Sequence, residues 1–145
     1  MSKTKFLVLA LLLAFAFSAV AGGGAANAAP PQGAVVSLSA AKSAFGASER
    51  VLITVTVSNP TARPVKVLKW YTPAEDVEEP LFRVLLNGQP VAFVGPHYKR
   101  PAPTGNDYIL LKPGASFSRE VDLGAYYDLS RSGTYQISYS VSSFS

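Results

Sequence analysis

The chain has 145 residues, with 13 basic and 9 acidic side chains, one histidine and no cysteine. The missing thiols exclude disulfide staples, thiolate metal sites and a cysteine nucleophile. The formal charge of +4 is modest and no basic run is longer than Lys99-Arg100, so nothing in the composition points to a nucleic-acid partner.

In chain order, Lys3 and Lys5 come first, ahead of a charge-free apolar run from Phe6 to Ala21. Ala19-Val20-Ala21 and Ala26-Asn27-Ala28 both have the small-x-small form of a cleavage site. A spanning helix needs about 20 apolar residues, which disfavours a retained anchor. No cysteine follows the run to carry a lipid. Residues 1–28 are therefore expected to be a removed signal peptide, with cleavage after Ala21 as the alternative. The product would be secreted or periplasmic, with no membrane attachment after signal removal. Residues 29–145 would form one domain of 117 residues, with 11 basic side chains against 9 acidic ones, a net of +2. That length can hold a core without staples.

An edge strand is expected near Val35 to Leu38. Val51, Ile53, Val55 and Val57 then alternate with Leu52, Thr54, Thr56 and Ser58, which gives a strand with one apolar face. Asn59-Pro60 ends it, because proline cannot donate to a ladder. Val65 to Tyr71 is a second β-rich run. Leu81 to Leu86 and Val91 to Val94 flank Asn87-Gly88, a hairpin signal. Tyr108 to Leu111 leads to a turn at Lys112-Pro113-Gly114, and Ser116 to Leu123 alternates again, with Arg119 breaking the stripe. Ala125 to Leu129 is the one candidate helical turn. Tyr135, Ile137, Tyr139 and Val141 line the last strand. About eight short strands separated by turn signals predict an all-β fold, an antiparallel β-sandwich of about 7–8 strands. Its immunoglobulin-like version is favoured by Gly133-Thr134-Tyr135-Gln136-Ile137 after Asp128, the spacing of a tyrosine corner. Trp70 fits either the central core aromatic or the exposed end of its strand beside Tyr71.

The chemistry is mostly absence. His97 is the single histidine and no H-E-x-x-H, nucleophile elbow, phosphate loop or dinucleotide fingerprint occurs, so neither an enzyme nor a bound cofactor or metal is expected. Glu75, Asp76, Glu78 and Glu79 cluster between Pro73 and Pro80. Without EF-hand spacing, they read as a solvated acidic loop rather than a calcium site. Gly95 to Gly105 is long for a connection in so short a chain. Its prolines favour the extended backbone that lies in a protease cleft or on a sheet edge, although a plain crossover between sheets needs no more than this. Trp70 and Tyr71 could also make an aromatic stacking surface for a glycan.

Longer stretches resemble a family. Asn59-Pro60-Thr61, Pro64 to Pro73 and Glu78-Glu79-Pro80-Leu81-Phe82 are similar to the amino-terminal region of bacterial peptidyl-Lys metalloendopeptidases, secreted zinc proteases of the deuterolysin (aspzincin) group. Tyr98 to Pro103, Asp107-Tyr108, Leu111 to Gly114, Val121 to Leu123, Tyr126 to Ser130 and Ser132 to Tyr135 continue the likeness, which spans roughly residues 35 to 141. In that family the region is a propeptide ahead of a catalytic domain, and this sequence ends at Ser145, where that domain would begin. The resemblance implies a non-catalytic, monomeric domain that inhibits a Lys-specific zinc metalloprotease or assists its folding. A cleft built for lysine would place Lys99 in its pocket as a substrate mimic, with Tyr98 and Arg100 beside it and Pro101 and Pro103 holding the strand extended. His97 approaching the zinc is the weaker alternative. An exported adhesion or envelope module with no protease partner is the competing function, since the fold is indifferent to the choice.

Overall fold

A computed structural model describes residues 4–9 and 32–141. The remainder of the expected signal peptide, with both cleavage sites, lies outside the described residues. The strands are β1 (Thr4–Leu9), β2 (Val35–Ser39), β3 (Ala44–Gly46), β4 (Leu52–Ser58), β5 (Val65–Leu68), β6 (Phe82–Leu86), β7 (Gln89–Pro90), β8 (Tyr108–Leu111), β9 (Ser116–Asp122) and β10 (Gly133–Tyr139). They form three sheets in the orders β3-β1-β10-β6-β7, β2-β4-β9 and β5-β8. The fold is all-β and sandwich-like, as expected.

Alternation decides which faces meet. Along β4, Ile53, Val55 and Val57 are fully buried while Leu52, Thr54 and Thr56 between them are not. Each such aliphatic contributes about 1.5–3 kcal/mol by leaving water. The inner faces of all three sheets share one cluster, to which β10 adds Tyr135, Ile137 and Tyr139. Phe82 sits edge-on to Tyr127 and Tyr139, at ring separations of 6.4 and 5.5 Å. The buried phenols keep partners. Tyr127 Oη donates to the Phe82 carbonyl at 2.6 Å, and Tyr139 Oη donates to the Tyr71 carbonyl at 2.7 Å. Tyr135 Oη donates to the Arg131 carbonyl at 2.6 Å, the bond that the tyrosine-corner spacing anticipates.

The β6–β7 turn has φ of 48° at Asn87 and 82° at Gly88, the left-handed pair that a two-residue hairpin requires. Asn87 also ties the turn to β10, its Oδ1 accepting from the Thr134 N–H at 3.0 Å.

Several boundaries differ from expectation. The run from Val65 ends at Leu68, and Lys69–Tyr71 turns as a 3-10 segment because the Lys69 carbonyl accepts from both the Thr72 N–H and the Thr72 hydroxyl, each at 2.9 Å. Trp70 is accordingly only half-buried, and phenylalanine and tyrosines fill the core instead. Val91 to Val94 forms no strand; Phe93 makes one isolated bridge to Tyr127. The helical turn falls at Leu123–Ala125 rather than Ala125 to Leu129. β3 was not anticipated. Nor was β1, which uses residues of the expected leader and pairs parallel with β10 where antiparallel pairing was expected throughout.

Candidate functional site

The segment from Gly95 to Gly105 is a loop held at three places. At its start, Phe93 lies between the Tyr126-Tyr127 segment that follows β9 and the loop. Its ring stacks on Tyr126 at 6.3 Å, meets Tyr127 at 5.5 Å and takes His97 edge-on at 5.3 Å. The Val94 N–H donates to the Tyr126 carbonyl at 2.8 Å. Gly95 fits here because a Cβ would lie 2.4 Å from the Phe93 ring.

The second hold is Arg100. Its guanidinium lies over the Trp70 ring at 4.6 Å and near the Tyr98 ring at 5.5 Å, both within cation–π range. One terminal nitrogen is paired with Glu78, and Nε lies 3.6 Å from Glu79 Oε1. That second distance is an ion pair but too long for a hydrogen bond, and the buried Nε–H has no hydrogen-bond partner among the described residues. At the exit, the Thr104 N–H and hydroxyl both donate to Asp107 Oδ2, at 2.7 and 2.9 Å. These two donors, the backbone one first, hold the Asp107 carboxyl below the usual carboxylate range.

Between the holds stands a crest. Tyr98 is 55 % exposed, and His97, Lys99 and Pro101 are exposed as well. Arg100 is the exception among the five loop residues named from sequence, since it points inward. The acidic cluster divides similarly. Glu78 and Glu79 hold Arg100, Glu75 reaches Lys69 at 3.4 Å, and Asp76 is solvated. Trp70 carries Arg100 on its ring, while Tyr71 is 36 % exposed, so the two aromatics do not present a shared bare face.

Phe93, Tyr126, Glu78, Glu79, Thr104 and Asp107 complete the loop's support. The acidic cluster and the Lys99-Arg100 pair were each visible in the sequence; that Glu78 and Arg100 meet across 22 residues was not. No group of three or more His, Asp or Glu suited to a metal ion occurs among the described residues. No helix among them is long and apolar enough to cross a membrane.

No family model matches the chain. It is 39 % identical over 94 residues to an extracellular protease of Aeromonas hydrophila, a match covering 65 % of this chain and 27 % of that protein. It is 32 % identical over 85 residues to a neutral protease 2 homolog of Coccidioides posadasii (strain C735), covering 57 % of this chain and 24 % of the relative. The chain thus spans about a quarter of the length of the curated relatives it matches. It is related to a protease-associated region.

Proposed function

We propose that this chain is an exported, non-catalytic, propeptide-like domain that binds a secreted zinc metalloprotease of the peptidyl-Lys type, covers its active site and assists its folding. The carrying observation is the partial match. A β-sandwich equivalent to about a quarter of two proteases, one of them extracellular, fits an accompanying domain better than a catalytic one.

The crest at 97–101 is the surface for that contact. Tyr98 and Lys99 project from a backbone whose neighbours are already fixed, so little further ordering is needed on binding. Lys99 enters the protease's lysine pocket as a substrate mimic. Arg100 acts from behind the crest, and His97 stays against Phe93.

Titrating the exported chain against a peptidyl-Lys metalloprotease, with cleavage of a lysine-containing peptide as readout, tests this. Saturable inhibition with a stoichiometric endpoint is expected. Lys99→Ala should weaken it at least tenfold without changing thermal stability. Full inhibition by Lys99→Ala would remove the loop from the account. No inhibition, with no effect on refolding of the protease, would favour an envelope or adhesion module instead.

A further inference from the structure

β1 has two incompatible roles. Lys3, Lys5 and the apolar run after them read as a secretion leader, yet Thr4–Leu9 is also the strand that separates β3 from β10. It pairs parallel with β10 from Lys5↔Gly133 to Leu9↔Ile137 and antiparallel with β3 from Thr4↔Gly46 to Phe6↔Ala44. Leu7 is 7 % exposed and belongs to the core cluster, while Phe6 and Val8 point outward at 54 % and 51 %. Lys5, 6 % exposed, borders a cleft of about 390 Å³ whose charged lining also includes Glu49, Arg50, Asp122 and Asp128, with Asp122 paired to Arg50 and Glu49 to Lys42. The Asp128 carboxyl is held below the usual carboxylate range chiefly by the Ser130 hydroxyl and N–H, with smaller pulls from Arg131 and Lys5.

Removing the leader takes this strand away. β3 and β10 would then stand roughly two strand spacings apart, about 9–10 Å. Thr134 faces β6, its carbonyl accepting from the Asn87 N–H at 2.8 Å. The alternating ladder therefore aims the backbone groups of Tyr135 and Ile137 into the vacated place. The residues that cleavage would leave ahead of β2, from Ala29 or at most from Gly22 (Gly-Gly-Gly-Ala-Ala-Asn-Ala-Ala-Pro-Pro over 22–31), make a poor replacement. They carry no basic side chain and no large apolar one, and two prolines lack the N–H.

We propose that in the processed protein this groove takes an extended strand of the partner protease, added parallel to β10, with a basic residue in the place of Lys5 and an apolar one in the place of Leu7. The pattern basic-x-apolar follows from the Asp128 side of the cleft at one position and the core contact two residues on. Strand addition at an open edge is a recurring mode of recognition in which backbone bonds supply affinity and alternate side chains supply specificity. The relatives make a protease strand the occupant, because about three-quarters of each lies outside the region equivalent to this sandwich. The inference rests on the protease-binding reading above.

The experiment uses the chain as exported from cells, its amino terminus fixed by intact mass, and follows amide exchange of Tyr135 and Ile137. The probes are the peptide Thr-Arg-Phe-Leu-Val-Leu, which is residues 4–9 with Lys5→Arg to resist Lys-specific cleavage, and a peptidyl-Lys metalloprotease. Each should slow both amides at least tenfold. Excess peptide should weaken protease binding at least tenfold, and the peptide with Leu7→Asp should do neither. An exported chain that still carries residues 4–9 overturns the proposal. So do amides already protected without any probe, which would mean that β3 has closed onto β10. Protease binding that leaves both amides fast and ignores the peptide also overturns it, while leaving the protease reading intact. Peptide binding without any protease binding overturns both.

Discussion

Replacing Arg100 with alanine tests whether the loop is held from behind. The Arg100 side chain is 20 % exposed and its two acidic partners 31 % and 28 %, so the pairs are neither free in water nor fully desolvated. Partly exposed ion pairs contribute about 0.2–1 kcal/mol each, and the cation–π contact with Trp70 adds about 1 kcal/mol. Removal also leaves Glu78 and Glu79 adjacent and uncompensated. The expected loss is about 2–3 kcal/mol, a fall in Tm of roughly 10 °C for a domain of this size. Arg100→Lys keeps the charge but not the planar fork, and should lose about half as much. Trp70 is the single tryptophan, so its fluorescence reports on this contact alone. Urea unfolding followed by that emission gives both quantities, and a cycle with Trp70→Leu, followed by circular dichroism because that variant has no tryptophan, should show a coupling of about 1 kcal/mol. A loss below about 0.5 kcal/mol with unchanged emission would mean that Arg100 is an ordinary surface arginine and that the crest is held elsewhere.

Asn59 should prove more costly to remove than its position beside a proline suggests. It is fully buried; Nδ2 donates to the Arg63 and Leu111 carbonyls at 2.7 and 2.9 Å, and Oδ1 accepts from the Thr61 N–H and hydroxyl. Asn59→Ala strands these groups and should lose about 3 kcal/mol in urea unfolding, at about 1–3 kcal/mol per buried group left unpaired; a loss under 1 kcal/mol would mean that water replaces the amide. Alkaline pH should also unfold the domain. Burial pushes the Tyr127 phenol up to about 12 despite its bond to Phe82, and raises Tyr139 and Tyr135 as well. The ordinary phenol value is about 10, so the unfolded chain releases these protons first. Their contribution is complete below pH about 10 and is lost as pH climbs towards 12. The urea midpoint should fall over that window in step with phenolate absorbance; a flat midpoint while the absorbance rises would show the phenols to be accessible.

Elements whose signal is local were readable. The period of two in Ile53, Val55 and Val57 placed β4 and its buried face, and the Asn87-Gly88 pair placed its turn. Tyr135 was readable because its hydroxyl bonds only four residues back. Lys69-Trp70-Tyr71 misled because β-forming side chains continue past Leu68, while the bond that stops the strand comes from Thr72. β1 was hidden by its own chemistry, since a basic, then apolar hexapeptide satisfies a leader and a half-buried strand equally. The loop's holds were out of reach for another reason. Glu78 and Arg100, or Phe93 and Tyr126, meet only once the chain is folded, and no period or spacing marks either pair.

The absence of cysteine makes those holds more consequential. Fixing the backbone of one residue opposes folding by about 1–2 kcal/mol, so an eleven-residue loop that ordered only on binding would lose on the order of 10 kcal/mol of affinity. A disulfide is one way to limit that loss. Here three non-covalent contacts of different kinds do so, an aromatic stack, a guanidinium between ring and carboxylates, and a carboxylate capped by N–H and hydroxyl. They leave only short free stretches between them. Tyr98 and Lys99 stand in one such stretch, next to the side chain that anchors it, so their exposure is a consequence of Arg100 turning inward rather than of a slack loop. The same arrangement makes the crest breakable one contact at a time, which a disulfide would not allow.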